Sequence, residues 1–117
     1  MELGETGMRH AVSEEGARLV VRLEGEVDLE NSPKAREVLL EAVGGDRAVL
    51  VDLSAVTYID SSGVASLVEA FQVAKRRSIT FALVSVNPAA LRVLQLARLD
   101  KVFTIHESLP EEPDGDS

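Results

Sequence analysis

The chain reads as one α/β domain, a mixed, largely parallel sheet packed against amphipathic helices, and three observations lead there. The apolar period switches repeatedly between strand-like alternation and helical spacing. Helical stretches open on capping residues, twice followed by proline. The 117 residues, 45% of them hydrophobic, supply one core and leave no room for a second domain.

Taken in order, Met8 to Val12 suits a short strand, Glu14, Glu15 and Gly16 a turn, and Ala17 to Glu26 a second strand with Leu19, Val21 and Leu23 on one side. An N-terminal hairpin is expected. In N-S-P-K, Ser32 can cap a helix and Pro33 fits its first position, where the missing N–H costs nothing. Ala35, Val38, Leu39, Ala42 and Val43 follow at helical spacing, and Gly44 stands where a left-handed C-terminal residue is wanted. Ala48 to Leu53 is an almost wholly apolar run, as in a strand covered on both faces. Val64, Leu67, Val68 and Phe71, continuing to Ala74, mark a second helix. Ile79 to Val84 is strand-like, Asn87-Pro88 repeats the cap signal, Leu91, Leu94 and Ala97 mark a third helix, and Val102 to Ile105 closes with a strand. Strands alternating with helices after the hairpin imply a parallel arrangement there. The domain is read over residues 8–108. Residues 1–7 are expected to be flexible, and 109–117 (LPEEPDGDS) to form a disordered acidic tail with nothing to bury.

Composition then removes function classes. The absence of cysteine excludes disulfides, a thiol nucleophile and thiolate metal sites, and suits a reducing cytosol. No long apolar run or leader-like start is present, so a cytoplasmic protein without a membrane span is expected. A net charge of −8 repels polyanions and argues against direct nucleic-acid binding. The basic cluster Lys75, Arg76, Arg77 falls in the last turn of the second helix, where cations complement the dipole. His10 and His106 lack companions at metal-ligand spacing, and neither a G-x-S-x-G elbow nor a phosphate loop of the G-x-x-x-x-G-K-[ST] type occurs. No catalytic residue, metal or cofactor is assigned.

What remains is D-S-S-G, Asp60 to Gly63, between a strand and a helix. Capping by Asp60 or Ser61, worth ~1 kcal/mol, explains one polar side chain. It leaves unexplained three polar residues and a glycine together at the carboxyl end of a strand, where α/β sheets meet ligands and modifying groups. A helix N-terminus favours anions, so a phosphate on a serine there is expected to find donors in the backbone of Gly63 and Val64. Such a group adds about −1.5 to −2 of charge to a small patch and would expel a partner with an acidic or apolar face.

The segment VDLSAVTYIDSSGVASLVEA, Val51 to Ala70, resembles the signature of the STAS domain in bacterial anti-sigma factor antagonists. LEGEVDLENSP, Leu23 to Pro33, is similar to the same family's turn after its second strand, and NPAALRVLQLARLDKVFTIHES, Asn87 to Ser108, to its third helix and last strand. The resemblance runs from about Met8 to Ser108.

It implies a regulator without catalytic activity. The unphosphorylated form would bind an anti-sigma factor with serine kinase activity and free a sigma factor; phosphorylation would break the complex, and a metal-dependent serine phosphatase would restore it. The kinase would supply ATP, Mg²⁺ and the general base. Carried onto this sequence, the acceptor is Ser61, with Ser62 the alternative; Asp28, Asp60, Ser61, Ser62 and Gly63 form the partner-binding group. Asp28 would orient the hydroxyl or touch the kinase, or else simply end its strand and help cap the next helix. Two other readings stand beside this one: a STAS subunit docking on the ATPase of a lipid-transport ABC complex, and a small phosphotransfer enzyme using Asp52, Asp60 and Ser61.

Overall fold

The N-terminal hairpin is tighter than its sequence indicates. In the structure, a computed structural model describing residues 7–111, β1 (Met8–Glu15) and β2 (Arg18–Val27) pair antiparallel up to Glu15 opposite Arg18. Only Gly16 and Ala17 are left to turn the chain. Gly16 takes φ +66° while Ala17 does not enter the positive region, the pattern of a two-residue turn that needs glycine first. Glu14 and Glu15, expected in the turn, are therefore strand residues.

The chain continues through α1 (Ser32–Val43), β3 (Ala48–Ile59), α2 (Ser61–Arg76), β4 (Phe81–Val84), α3 (Pro88–Leu96), a 3-10 turn at Leu99–Lys101 and β5 (Thr104–His106). Spatial order in the sheet follows chain order, with β2 to β5 parallel. Crossovers of one hand that always advance in the same direction put their helices on the same face. Accordingly Val21, Leu23, Val51, Leu53 and Leu83 of the sheet share one core with Leu39 and Val43 of α1, Leu67 and Ala70 of α2, and Leu94 of α3. Phe71, Phe81 and Phe103 close that core, Phe71 meeting the other two edge-on and those two tilted against each other, with centroids 5.4 to 6.3 Å apart. The mixed, mostly parallel sheet with three amphipathic helices is the architecture read from sequence.

On the other face Leu50, Ala82 and Val84 form a small buried group, so β3 is covered on both sides at Val49–Val51 as its composition indicates. Beyond β5 the chain returns toward β2, where Arg18 Nη1 donates to the Pro110 carbonyl at 2.6 Å. The rest of the acidic tail, 112–117, and residues 1–6 lie outside the described residues. Among the described residues no helix is long and apolar enough to cross a membrane.

Five local readings need correction. β3 does not stop at Leu53 but runs to Ile59, because bulges between Arg22 and Glu24 and between Gly25 and Glu26 let β2 follow it further. Val56 and Ile59 stay buried there while Ser54, Thr57 and Tyr58 are exposed, an irregular alternation that hides the strand. β4 and β5 each begin two residues later than the apolar runs indicate, at Phe81 and Thr104. The N-cap of α1 is Asn31 rather than Ser32, whose hydroxyl turns back to the Leu29 carbonyl. Gly44 has φ −80°, so it is no left-handed cap; instead Arg77 reaches across from the end of α2. Its Nε donates to the Val43 carbonyl at 3.0 Å and its Nη2 to the carbonyls of Gly44 and Gly45 at 3.0 and 2.9 Å.

The basic cluster thus includes a cross-helix cap. Arg77→Ala is expected to lower stability by about 1–2 kcal/mol in urea unfolding. Arg77→Lys should not restore it, since a point charge cannot span three carbonyls; full recovery with lysine would assign the effect to the helix dipole alone.

Candidate functional site: the serine turn between β3 and α2

The turn is built around one carboxylate. Asp60 leaves β3 in extended conformation and is the N-cap of α2. Its Oδ1 accepts from the N–H groups of Ser62 at 2.9 Å and Gly63 at 3.2 Å, while its Oδ2 accepts from the Leu29 N–H at 3.1 Å, across from the loop after β2. Its own N–H donates to the Val27 carbonyl at 3.4 Å. One side chain therefore starts the helix and fixes the neighbouring loop to it.

Gly63 is required by contact rather than by conformation. A Cβ there would stand 2.2 Å from the Val27 carbonyl oxygen, 2.8 Å from Ile59 Cγ1 and 2.9 Å from Val27 Cγ1. The first turn of α2 lies directly on the end of β2, which places the serines beside the Asp28 loop. Asp28 itself holds that loop: its Oδ1 accepts from both the N–H and the Nδ2 of Asn31 at 3.0 Å. The link between loop and serine turn runs through Leu29 and Asp60.

The two serines face different surroundings. Ser61 is exposed and opens onto a groove of about 890 Å³ between α2 and α3, lined by Val64, Ala65, Val68, Val93, Leu96 and Ala97 with Glu69, Gln72 and Arg76 among them. Ser62 is half-buried and lines a smaller depression with Ser32, Arg36 and Glu69 on the α1 side. There Arg36 grips Glu69 through two bonds, Nε to Oε1 at 2.7 Å and Nη2 to Oε2 at 2.8 Å, tying α1 to α2. The bonds from Arg36 hold the Glu69 carboxyl below its ordinary range, and those to Glu69 raise the Arg36 guanidinium. The tie supports the fold above the usual carboxylate range and is lost as pH falls through the lowered Glu69 value.

Three large apolar side chains on the elements that meet here are exposed. Leu29 is 72%, Tyr58 52% and Leu96 77% exposed, and none of the three was singled out by sequence reasoning. The available signal was Leu29, an apolar residue in the otherwise polar D-L-E-N loop. Isolated exposed apolar residues are ordinary; Leu29 lies in the loop bonded to Asp60, Tyr58 is near the end of β3 and Leu96 lines the groove onto which Ser61 opens.

The donors expected for a phosphate are already used. The Gly63 N–H is held by the Asp60 carboxylate, and the Val64 N–H by the Asp60 carbonyl at 2.9 Å in the helix's own ladder. An anion on Ser61 would stand next to Asp60 with its charge directed outward. Substituting Gly63 by alanine should cost about 1–3 kcal/mol, because a backbone carbonyl cannot move aside like a side chain; an unchanged melting temperature would show that the contact relaxes freely.

A family model described as the STAS domain matches residues 9–112. A Mycobacterium tuberculosis protein named as an anti-anti-sigma factor is 27% identical over 113 residues, covering 92% of this chain and 76% of the relative. The anti-sigma F factor antagonist of Paenibacillus polymyxa is 27% identical over 92 residues, covering 77% and 79%. Among solved structures, an anti-sigma factor antagonist from Mycobacterium paratuberculosis is similar with a TM-score of 0.78 and 26% identity over 88% of each chain. With the family match spanning the sheet, all three helices and both the Asp28 loop and the serine turn, the chain belongs to the STAS domain family.

Proposed function

We propose that the protein is an anti-sigma factor antagonist controlled by phosphorylation of Ser61. In its unmodified form it binds an anti-sigma factor that is also a serine kinase, and so frees a sigma factor. The kinase moves the γ-phosphoryl group of ATP to Ser61 Oγ, its general base takes the hydroxyl proton, ADP leaves, and the complex breaks. A serine phosphatase returns the hydroxyl by hydrolysis.

The relatives named as antagonists support the general role. The observation that carries the switch is the position of Ser61: exposed, first in a capped helix, and lining a mostly apolar groove. A phosphate there needs no refolding to act. With the Ser62 and Gly63 N–H groups held by Asp60, its charge is directed at whatever covers the groove, where desolvating a dianion opposite an apolar face is costly. Exposure favours Ser61 over the half-buried Ser62 as acceptor. Asp28, Asp60, Ser62 and Gly63 shape the contact surface, with Leu29 beside them.

Affinity capture from a lysate of the source cell, with the wild-type chain, Ser61→Ala and Ser61→Asp as baits, tests the reading. A kinase-like ATPase retained by the first two baits and depleted at least about tenfold on the third is the expected result, equivalent to ~1.4 kcal/mol. Equal retention on all three, or a transporter ATPase as the retained protein, would reduce D-S-S-G to a helix cap within an ordinary docking surface.

A further inference from the structure

The outer edge of β1 carries a pattern that the switch at Ser61 does not use. Among the described residues β1 is the last strand on its side of the sheet, and it pairs with β2 without a bulge from Met8 to Glu15. It contains no proline and is exposed along its middle, with Val12 49% exposed at its centre. A straight, unpaired edge of this length is a template for another strand.

Its free hydrogen-bonding groups can be assigned. The Gly7 carbonyl accepts from the Glu26 N–H, so positions of that parity (Arg9, Ala11, Ser13, Glu15) turn their backbone groups toward β2. Those of Met8, His10, Val12 and Glu14 face outward. An antiparallel copy of β1 must then pair even positions with even ones. The register that places Val12 opposite Val12 also sets Arg9 against Glu15 and His10 against Glu14, each twice about the two-fold axis. Arg9 and Glu15 fall at non-hydrogen-bonded positions, where facing side chains approach closest. Existing partners are Arg47, which meets Glu14 at 3.5 Å on solvated chains and competes weakly, and Arg18, a largely buried side chain that meets Glu15 at 3.4 Å and leaves that carboxylate partly exposed.

We infer that β1 is a self-association edge, through which two copies of this chain join antiparallel into one continuous ten-stranded sheet. The edge is self-complementary in charge, in hydrogen-bond parity and in its apolar centre. This inference does not depend on Ser61.

Sedimentation equilibrium of the full chain tests it. A reversible dimer is expected for the wild type. Val12→Lys, which sets two cations against each other on the axis, should weaken the dimer at least about tenfold. Arg9→Glu and Glu15→Arg should each weaken it, and the double exchange Arg9→Glu with Glu15→Arg should recover it. Circular dichroism should be unchanged throughout, since these side chains are at the surface. A wild-type chain that stays monomeric, as it would if the undescribed terminal residues or another protein's strand covered this edge, overturns the proposal. So does a dimer indifferent to Val12→Lys, or one that the double exchange fails to restore.

Discussion

The carboxylate of Asp60 is the interaction on which the site depends. It satisfies two N–H groups at the start of α2 and a third in the loop after β2, and so joins two segments of chain that are distant in sequence. Such a bridge requires close approach, and Gly63 allows it by leaving the Val27 carbonyl uncovered. The parallel pairing of β2 with β3, carried through its bulges as far as Val27 and Ile59, brings the ends of both strands level. Sheet register, cap and missing side chain act together to set Ser61 beside the Asp28 loop.

The same bridge determines what a charge at Ser61 can do. Had the first-turn N–H groups been free, a phosphate could have folded onto the helix and been partly neutralised. Asp60 takes those of Ser62, Gly63 and Val64 instead, so a second anion finds these donors occupied and faces a carboxylate nearby. In this account added charge acts through its effect on the partner face, with little change in the domain. The groove between α2 and α3 and the exposed Leu29 and Tyr58 supply the apolar area over which that charge is felt.

Much of this was legible in the residues because it is local. Asp60 caps α2 and Asn87 caps α3, the latter accepting from the Ala90 N–H at 3.0 Å, as short cap motifs indicate. The strand and helix order followed from periodicity. What escaped was set by contacts between distant segments. Nothing around Gly63 announces that Val27 will lie against it, and nothing around Arg77 shows that the end of α1 will need its guanidinium. The second half of β3 was hidden by bulges, which break the alternation that identifies a strand. The phosphate donors assigned to Gly63 and Val64 failed for a related reason: a cap residue and a phosphate want the same N–H groups, and the cap is always present.

The most direct measurement is site-resolved mass spectrometry of the protein isolated from its own cells with phosphatases inhibited, with fragment ions that separate Ser61 from Ser62. A phosphorylated fraction with the group on Ser61 alone is expected, returning to the unmodified mass after phosphatase treatment. Phosphate confined to Ser62, or none on either serine under any growth condition tested, would contradict it.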